Sequence, residues 1–315
     1  MLIRWAGEKD LQAWYALATE VSPVFEHLAD MGADPQFMAF AESAVGKYEA
    51  LTAIDYMSGL NMGFIGFSRQ NNSILWFAVS EKYRGKGAGN RLLKTALRQL
   101  DTNKDITVTT FREDYPSGKA ARVLYENFGF VESKLLMYDG LPRCEMTRQA
   151  SPEKRGNSFH YRYPEFIRES QKEHCPVCNA ERALGGQHDI EVNDKVWIVA
   201  EYPGQGRLFG KMYVMPVNHA FHFEDMPKAE AEAFMSEVRR AGRALRKVTG
   251  AVKINYEMHS NSGAHLHIHL FPRYPDDDYP GMSIDVLQKD TPYESFEEFL
   301  WFVERMREEL CADAI

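Results

Sequence analysis

His265, His267 and His269 alternate with Leu266, Ile268 and Leu270 in this 315-residue chain. Successive side chains of a strand point to opposite faces, so the spacing predicts three imidazoles on one face and three aliphatic side chains on a core face. Grouped imidazoles can supply a nucleophile, proton donors or metal ligands near neutral pH. A structural role for one or two of them, or a metal site built on an H-x-H pair, is the plainer alternative. A second constellation is Cys175-Pro176-Val177-Cys178. Two thiolates at this spacing are half of a tetrahedral zinc site, although C-x-x-C also occurs as a redox motif opening a helix. The third constellation runs from Val79 to Leu93 and holds Gly85, Gly87 and Gly89. Here a strand enters a glycine loop and then a helix, which leaves backbone N–H groups free to grip an anion such as a pyrophosphate.

The elements that must position these groups are legible from periodicity and turn signals. Residues 3–6 read as a strand, and helices follow from Asp10 and over 35–47. Three strands, 51–56, 63–67 and 74–79, form an antiparallel meander. After the glycine loop, Leu92, Leu93, Ala96, Leu97 and Leu100 have helical spacing. A strand over 106–111, a helix over 119–128, and strands 135–138 and 143–147 around Asp139-Gly140 complete the first half. Residues 149–164 are polar, carry Pro and Gly, and read as a linker. Beyond it come strands 190–192, 196–200 and 212–214, a long helix over 227–249 stopped by Gly250, a strand over 253–256, the histidines, and an amphipathic helix over 292–310. That last helix is expected to pack on a core, with partner binding as the alternative.

A chain with 44% hydrophobic and 26% charged residues has the composition of a globular protein, and its length allows two domains. The net charge of −8 argues against an extended nucleic-acid footprint. No apolar run is long enough for a signal peptide or a membrane span, so the expected location is cytoplasmic. Of four cysteines, those at 144 and 311 are expected to be inert.

Residues 1–148 resemble the GCN5-related N-acetyltransferase (GNAT) family. Arg84-x-x-Gly87-x-Gly89 matches its coenzyme loop, and Leu124-Tyr125 with Gly129-Phe130 matches its late Leu-Tyr-x-x-x-Gly-Phe motif. The resemblance implies acetyl-CoA held by Val79, Arg84, Gly85, Lys86, Gly87, Ala88, Gly89 and Asn90, with the pantetheine arm between splayed strands 74–79 and 106–111. It implies Tyr125 as the acid for the leaving thiolate. Gly118 departs from the pattern, since many family members carry a coenzyme-contacting asparagine there. No general base stands out among Asp55, Glu81 and Glu113, and the acceptor amine is not readable.

Residues 165–315 resemble the histidine triad (HIT) family of nucleotide hydrolases and transferases, through the triad itself, C-x-x-C, and Pro216-x-x-His219. The resemblance implies a structural zinc on Cys175, Cys178, His219 and His265, with His174 and His188 as alternative ligands. It implies His267 as the nucleophile, His269 as a phosphate donor, Ser262 at the phosphate or leaving group, and Asn255 and Asn261 as weaker substrate contacts. A histidine as third member favours a hydrolase over a uridylyltransferase.

The expectation is an α+β chain: a mixed sheet with flanking helices, then an antiparallel sheet with a long helix. As a bifunctional enzyme it would join an acetyl-CoA-dependent N-acetyltransferase to a hydrolase of a nucleoside phosphoramidate or nucleotide anhydride, acting on small nucleotide and amine substrates. The alternative is a hydrolase regulated by a silent acyl-CoA-binding domain, and triad relatives leave a homodimer open.

Overall fold

The computed structural model describes residues 1–25, 30–138, 140–153, 155–156, 158–179, 187–202, 208–284 and 291–312. Asp139 of the expected hairpin lies outside them. The chain divides into two compact units, Met1–Arg155 with His160–Pro164, and Gly156–Phe159 with Glu165–Ile315.

In the first unit, β1 (Leu2–Trp5), β2 (Ala50–Ile54), β3 (Asn61–Ser68), β4 (Ser73–Val79), β5 (Ile106–Thr110), β6 (Phe130–Tyr138) and β7 (Leu141–Arg148) form a mixed sheet. Their spatial order is β1-β2-β3-β4-β5-β7-β6. Every neighbouring pair is antiparallel except β4–β5. Helices α1 (Leu11–Val21) and α2 (Pro35–Gly46) cover one face, where Trp14 stacks on Phe64 at 5.2 Å. Asp34 caps α2 by accepting from Gln36 N–H, with Pro35 in the first turn, where its missing N–H costs nothing. Helices α3 (Ala88–Leu97) and α4 (Lys119–Asn127) cover the other face, burying Leu92, Leu93 and Ala96 against Ile65, Phe67 and Met146.

One irregularity shapes this unit. The β3–β4 register jumps from Gly66↔Trp76 to Phe67↔Ile74, so Leu75 is an extra residue in β4. A bulge bends its strand and raises the local twist. The β4–β5 ladder joins Ser73 to Thr107 and Ile74 to Val108 and stops where the bulge begins. Past it the two strands part.

The second unit holds an antiparallel sheet of β8 (Gln187–Val192), β9 (Val196–Glu201), β10 (Met212–Pro216), β11 (Lys253–Glu257) and β12 (Ile268–Arg273), ordered β11-β12-β10-β9-β8. The 22-residue α6 (Lys228–Thr249) crosses one face and ends at Gly250, whose φ of 68° is the left-handed cap that glycine adopts cheaply. Helix α7 (Phe296–Ala312) buries Phe299, Phe302, Val303, Met306 and Leu310 in the same core. Helix α5 (Tyr163–Glu169) has no counterpart in the sequence reading, because only its buried Phe166 marks an apolar face.

Candidate functional sites

The glycine loop of the first unit is built from backbone. Gly85 and Gly87 take φ of 72° and 80°, and Gly87 is the N-cap of α3. No side chain caps that helix, so its leading N–H groups face outward as a ready anion site. A cleft of ≈ 310 Å³ opens beside the loop, lined by Phe77, Ala78 and Val79 of β4, by Arg84, Gly85, Gly87, Ala88 and Gly89, and by Ala121 and Leu124 of α4. It reaches Phe111 just past β5, along the gap left by the parted strands. Of the expected coenzyme residues, Lys86 and Asn90 do not line the cleft.

Gly118 has a packing reason. A Cβ there would lie 2.2 Å from Phe111 Cβ, so an asparagine cannot enter without displacing that ring. Tyr125 is buried between Phe77 and Phe130, at 6.4 and 5.6 Å between ring centroids, beneath rather than along the cleft wall. Burial raises the pKa of its phenol. Asp55, Glu81 and Glu113 all stand outside the cleft, and Asp55 accepts from Met57 N–H in its own turn.

In the second unit Leu266, Ile268 and Leu270 enter the core beneath α6. The strand, however, begins at Ile268 rather than at His265. The β10 ladder pairs Val214 with Ile268, and Pro216, which has no N–H to offer, ends it. Leu266 N–H donates instead to the Ala220 carbonyl at 2.8 Å. The alternation of faces continues through this extended approach.

Four side chains converge behind it. His265 Nδ1 lies 3.5 Å from both Cys175 Sγ and Cys178 Sγ, and His219 Nδ1 lies 3.4 Å from Cys178 Sγ. All four donor atoms fall within 4.8 Å of one another. Bonds of about 2.3 Å to sulfur and 2.0 Å to nitrogen span S···N edges of roughly 3.5 Å in a tetrahedron, so the donor set fits zinc. A carbonyl can only accept, so His265 Nε2–H donates to Pro216 O at 2.9 Å and His219 Nε2–H to Ser170 O at 2.7 Å. Each Nδ1 lone pair is thereby turned toward the thiols, the outer-shell arrangement that orients metal-binding imidazoles. His174 and His188 are not in the cluster.

The same reasoning fixes His267. Its Nδ1–H donates to the His265 carbonyl at 2.9 Å, which leaves Nε2 bare. Burial lowers its pKa, keeping the ring neutral. Gly263 passes over this ring: a Cβ there would stand 3.5 Å from Cε1. His269 meets the edge of His267 at 4.8 Å and stacks on Phe271 at 5.4 Å. Its pKa is pushed down to about 2, chiefly by burial and then by His267, and its buried Nδ1 has no partner among the described residues. Ser262 and Asn261 lie exposed on the loop before Gly263, and Asn255 is half-buried on β11.

Sequence reasoning missed what lies beneath the histidines. Tyr213 pairs directly with His269 across β10–β12 and meets its ring edge-on at 5.0 Å. Lys211 is fully buried, with Nζ 3.6 Å from a Glu201 carboxylate oxygen and 4.1 Å from the Tyr213 ring centroid. Burial pulls its pKa down to about 8 against the pull of Glu201, and its charge reaches both His267 and His269. His259, bonded to Glu257 at 2.8 Å, stands 6.3 Å from the His269 ring. Alternation along β10 could have placed Lys211 and Tyr213 on one face, but only the register brings that face to the histidines.

Family models match this chain in two places: the acetyltransferase (GNAT) domain over residues 50–132 and the HIT domain over 207–276. The chain carries a GNAT domain and a HIT domain. Among solved structures it is similar to a histidine triad protein of Bradyrhizobium japonicum, at 20% identity and TM-score 0.36, over 39% of this chain and 90% of that one. It is also similar to a GNAT family acetyltransferase of Bacillus cereus, at 12% identity and TM-score 0.38, over 48% and 98%. Among curated proteins no match is found. Among the described residues no helix is long and apolar enough to cross a membrane.

Proposed function

We propose that the HIT domain hydrolyses a nucleoside phosphoramidate or nucleotide anhydride through a covalent nucleotidyl-histidine, and that the GNAT domain transfers an acetyl group from acetyl-CoA to an amine. The observation that carries the first half is the bare, neutral Nε2 of His267, held by its Nδ1–H bond to the chain. Nε2 attacks the α-phosphorus, a P–N bond forms as the leaving group departs, and water then breaks that P–N bond to release the nucleotide. His269 and Ser262 would hold phosphate oxygens or the leaving group, with Asn255 and Asn261 at the substrate. Cys175, Cys178, His219 and His265 would hold zinc as a structural staple, since all four ligands come from protein.

In the GNAT domain the pyrophosphate would rest on the Gly85–Gly89 amides and the pantetheine arm in the gap between β4 and β5. The burial of Tyr125 away from the cleft wall favours a second reading, in which this domain binds acyl-CoA without turnover and regulates the hydrolase. Robust acetyl transfer to any amine excludes it.

AMP release from adenosine 5′-phosphoramidate is the test. We expect His267→Ala to lose on the order of a thousand-fold or more, as removal of a nucleophile does. Undiminished release by the variant overturns the mechanism.

A further inference from the structure

Arg143 is 6% exposed, yet among the described residues it has no counter-ion. Its Nη1–H donates to the Pro142 carbonyl at 3.2 Å, and among the described residues no carboxylate pairs with it. Its guanidinium instead lies 4.7 Å from the Phe111 ring centroid and 5.8 Å from that of Tyr115. A buried charge without an opposite charge is costly, and two aromatic faces offset only part of that cost.

Placement gives the charge a purpose. Cys144, the next residue, accepts a bond from Arg122 of α4 and belongs to the core beneath α3 and α4. Alternation along β7 therefore turns Arg143 to the opposite face of the sheet. Phe111 links it to the coenzyme cleft, because that ring lines the cleft and meets Phe25, which also lines it, at 5.2 Å. The cleft is lined from both faces of the sheet, by Val21, Val24 and Phe25 on the α1 side and by Ala121 and Leu124 of α4 on the other. If coenzyme occupies the glycine-loop side, the lining of Val21, Val24 and Phe25 is left for the amine, and Arg143 stands on that face of the sheet behind the Phe111 ring.

We infer that Arg143 binds a carboxylate or phosphate on the acceptor, so that the substrate of this domain is an amine carrying a negative charge. The inference rests on reading the domain as an acetyltransferase, and its test separates the two. Acetyl transfer at saturating acetyl-CoA is measured for matched amines, glycine with glycinamide and aminoethyl phosphate with ethanolamine. The wild type is expected to favour an anionic member by about ten-fold or more in kcat/KM, as a charge-assisted contact allows. Arg143→Gln should erase that preference by raising KM for the anionic amines alone, while the neutral amines keep their KM and kcat. Whichever pair responds identifies carboxylate or phosphate. A wild type indifferent to charge, or a variant that slows both members alike, overturns the inference. If no amine is acetylated, the acetyltransferase reading falls alone, and calorimetry on the coenzyme A-loaded protein decides the anion site. Glycine or aminoethyl phosphate binding that is lost in Arg143→Gln upholds it; equal binding in both proteins, or none in either, overturns it.

Discussion

The two candidate sites are built from opposite materials. The HIT site is a set of side chains whose ring nitrogens are aimed by carbonyls, with Pro216 and Ser170 turning the imidazoles of His265 and His219 toward the thiols and His265 turning His267. The GNAT site is mostly absence: glycines without side chains, an uncapped helix, and a gap where two strands stop pairing. The difference teaches how each should fail. The first is broken by removing atoms, the second by adding them.

Withdrawing the zinc proposed for the Cys175, Cys178, His219 and His265 cluster is the sharpest test. Chelation under reducing conditions, or Cys175→Ser, should destabilise the HIT domain by several kcal/mol or more, as loss of a structural zinc does, lowering its melting temperature by roughly 10 °C or more. Differential scanning calorimetry should show that loss with the GNAT transition in place. A chelator without effect would mean that the four donors hold no metal.

Adding atoms comes next. Gly118→Asn introduces the asparagine that the GNAT resemblance leads one to expect but drives a Cβ into Phe111. It should cost roughly 1–3 kcal/mol, as overpacking does, and weaken coenzyme A binding as Phe111 shifts toward the cleft. Denaturant unfolding and calorimetry check both. An unchanged protein would show that the cleft tolerates what its packing forbids.

The smallest effect concerns charge beneath the histidines. Lys211 is cationic below its pKa of about 8 and neutral above it. AMP release should therefore fall a few-fold as pH rises through about 8, and Lys211→Met should lack that limb. Stability moves the other way: between about 8 and 10.5 the unfolded chain holds the proton that the folded one has released. The HIT domain should thus gain stability with rising pH in that window, and the variant should not.

Much of this was legible in the sequence. Strand alternation placed the histidines opposite Leu266, Ile268 and Leu270, and glycine spacing placed the coenzyme loop. What stayed hidden depends on register or on distance along the chain. Tyr213 meets His269 only because of the β10–β12 pairing, Lys211 meets Glu201 only because of the β9–β10 pairing, and Arg143 reaches Phe111 from another strand. The strand at the histidines was expected to start at His265, and Pro216, on a different strand, decided otherwise. Gly118 read only as a departure from the family's asparagine until the closeness of Phe111 gave it a packing reason.

Leu75 carries a consequence beyond geometry. Because one surplus residue in β4 opens the gap, the width of the slot is encoded by strand length and not by the chemistry of any side chain. Substitutions around it can accumulate while the slot keeps its dimensions. Deleting that single residue would shut it without touching one recognised motif. Such a device leaves the lining free to drift, whereas the histidine site, specified atom by atom, has little room to move.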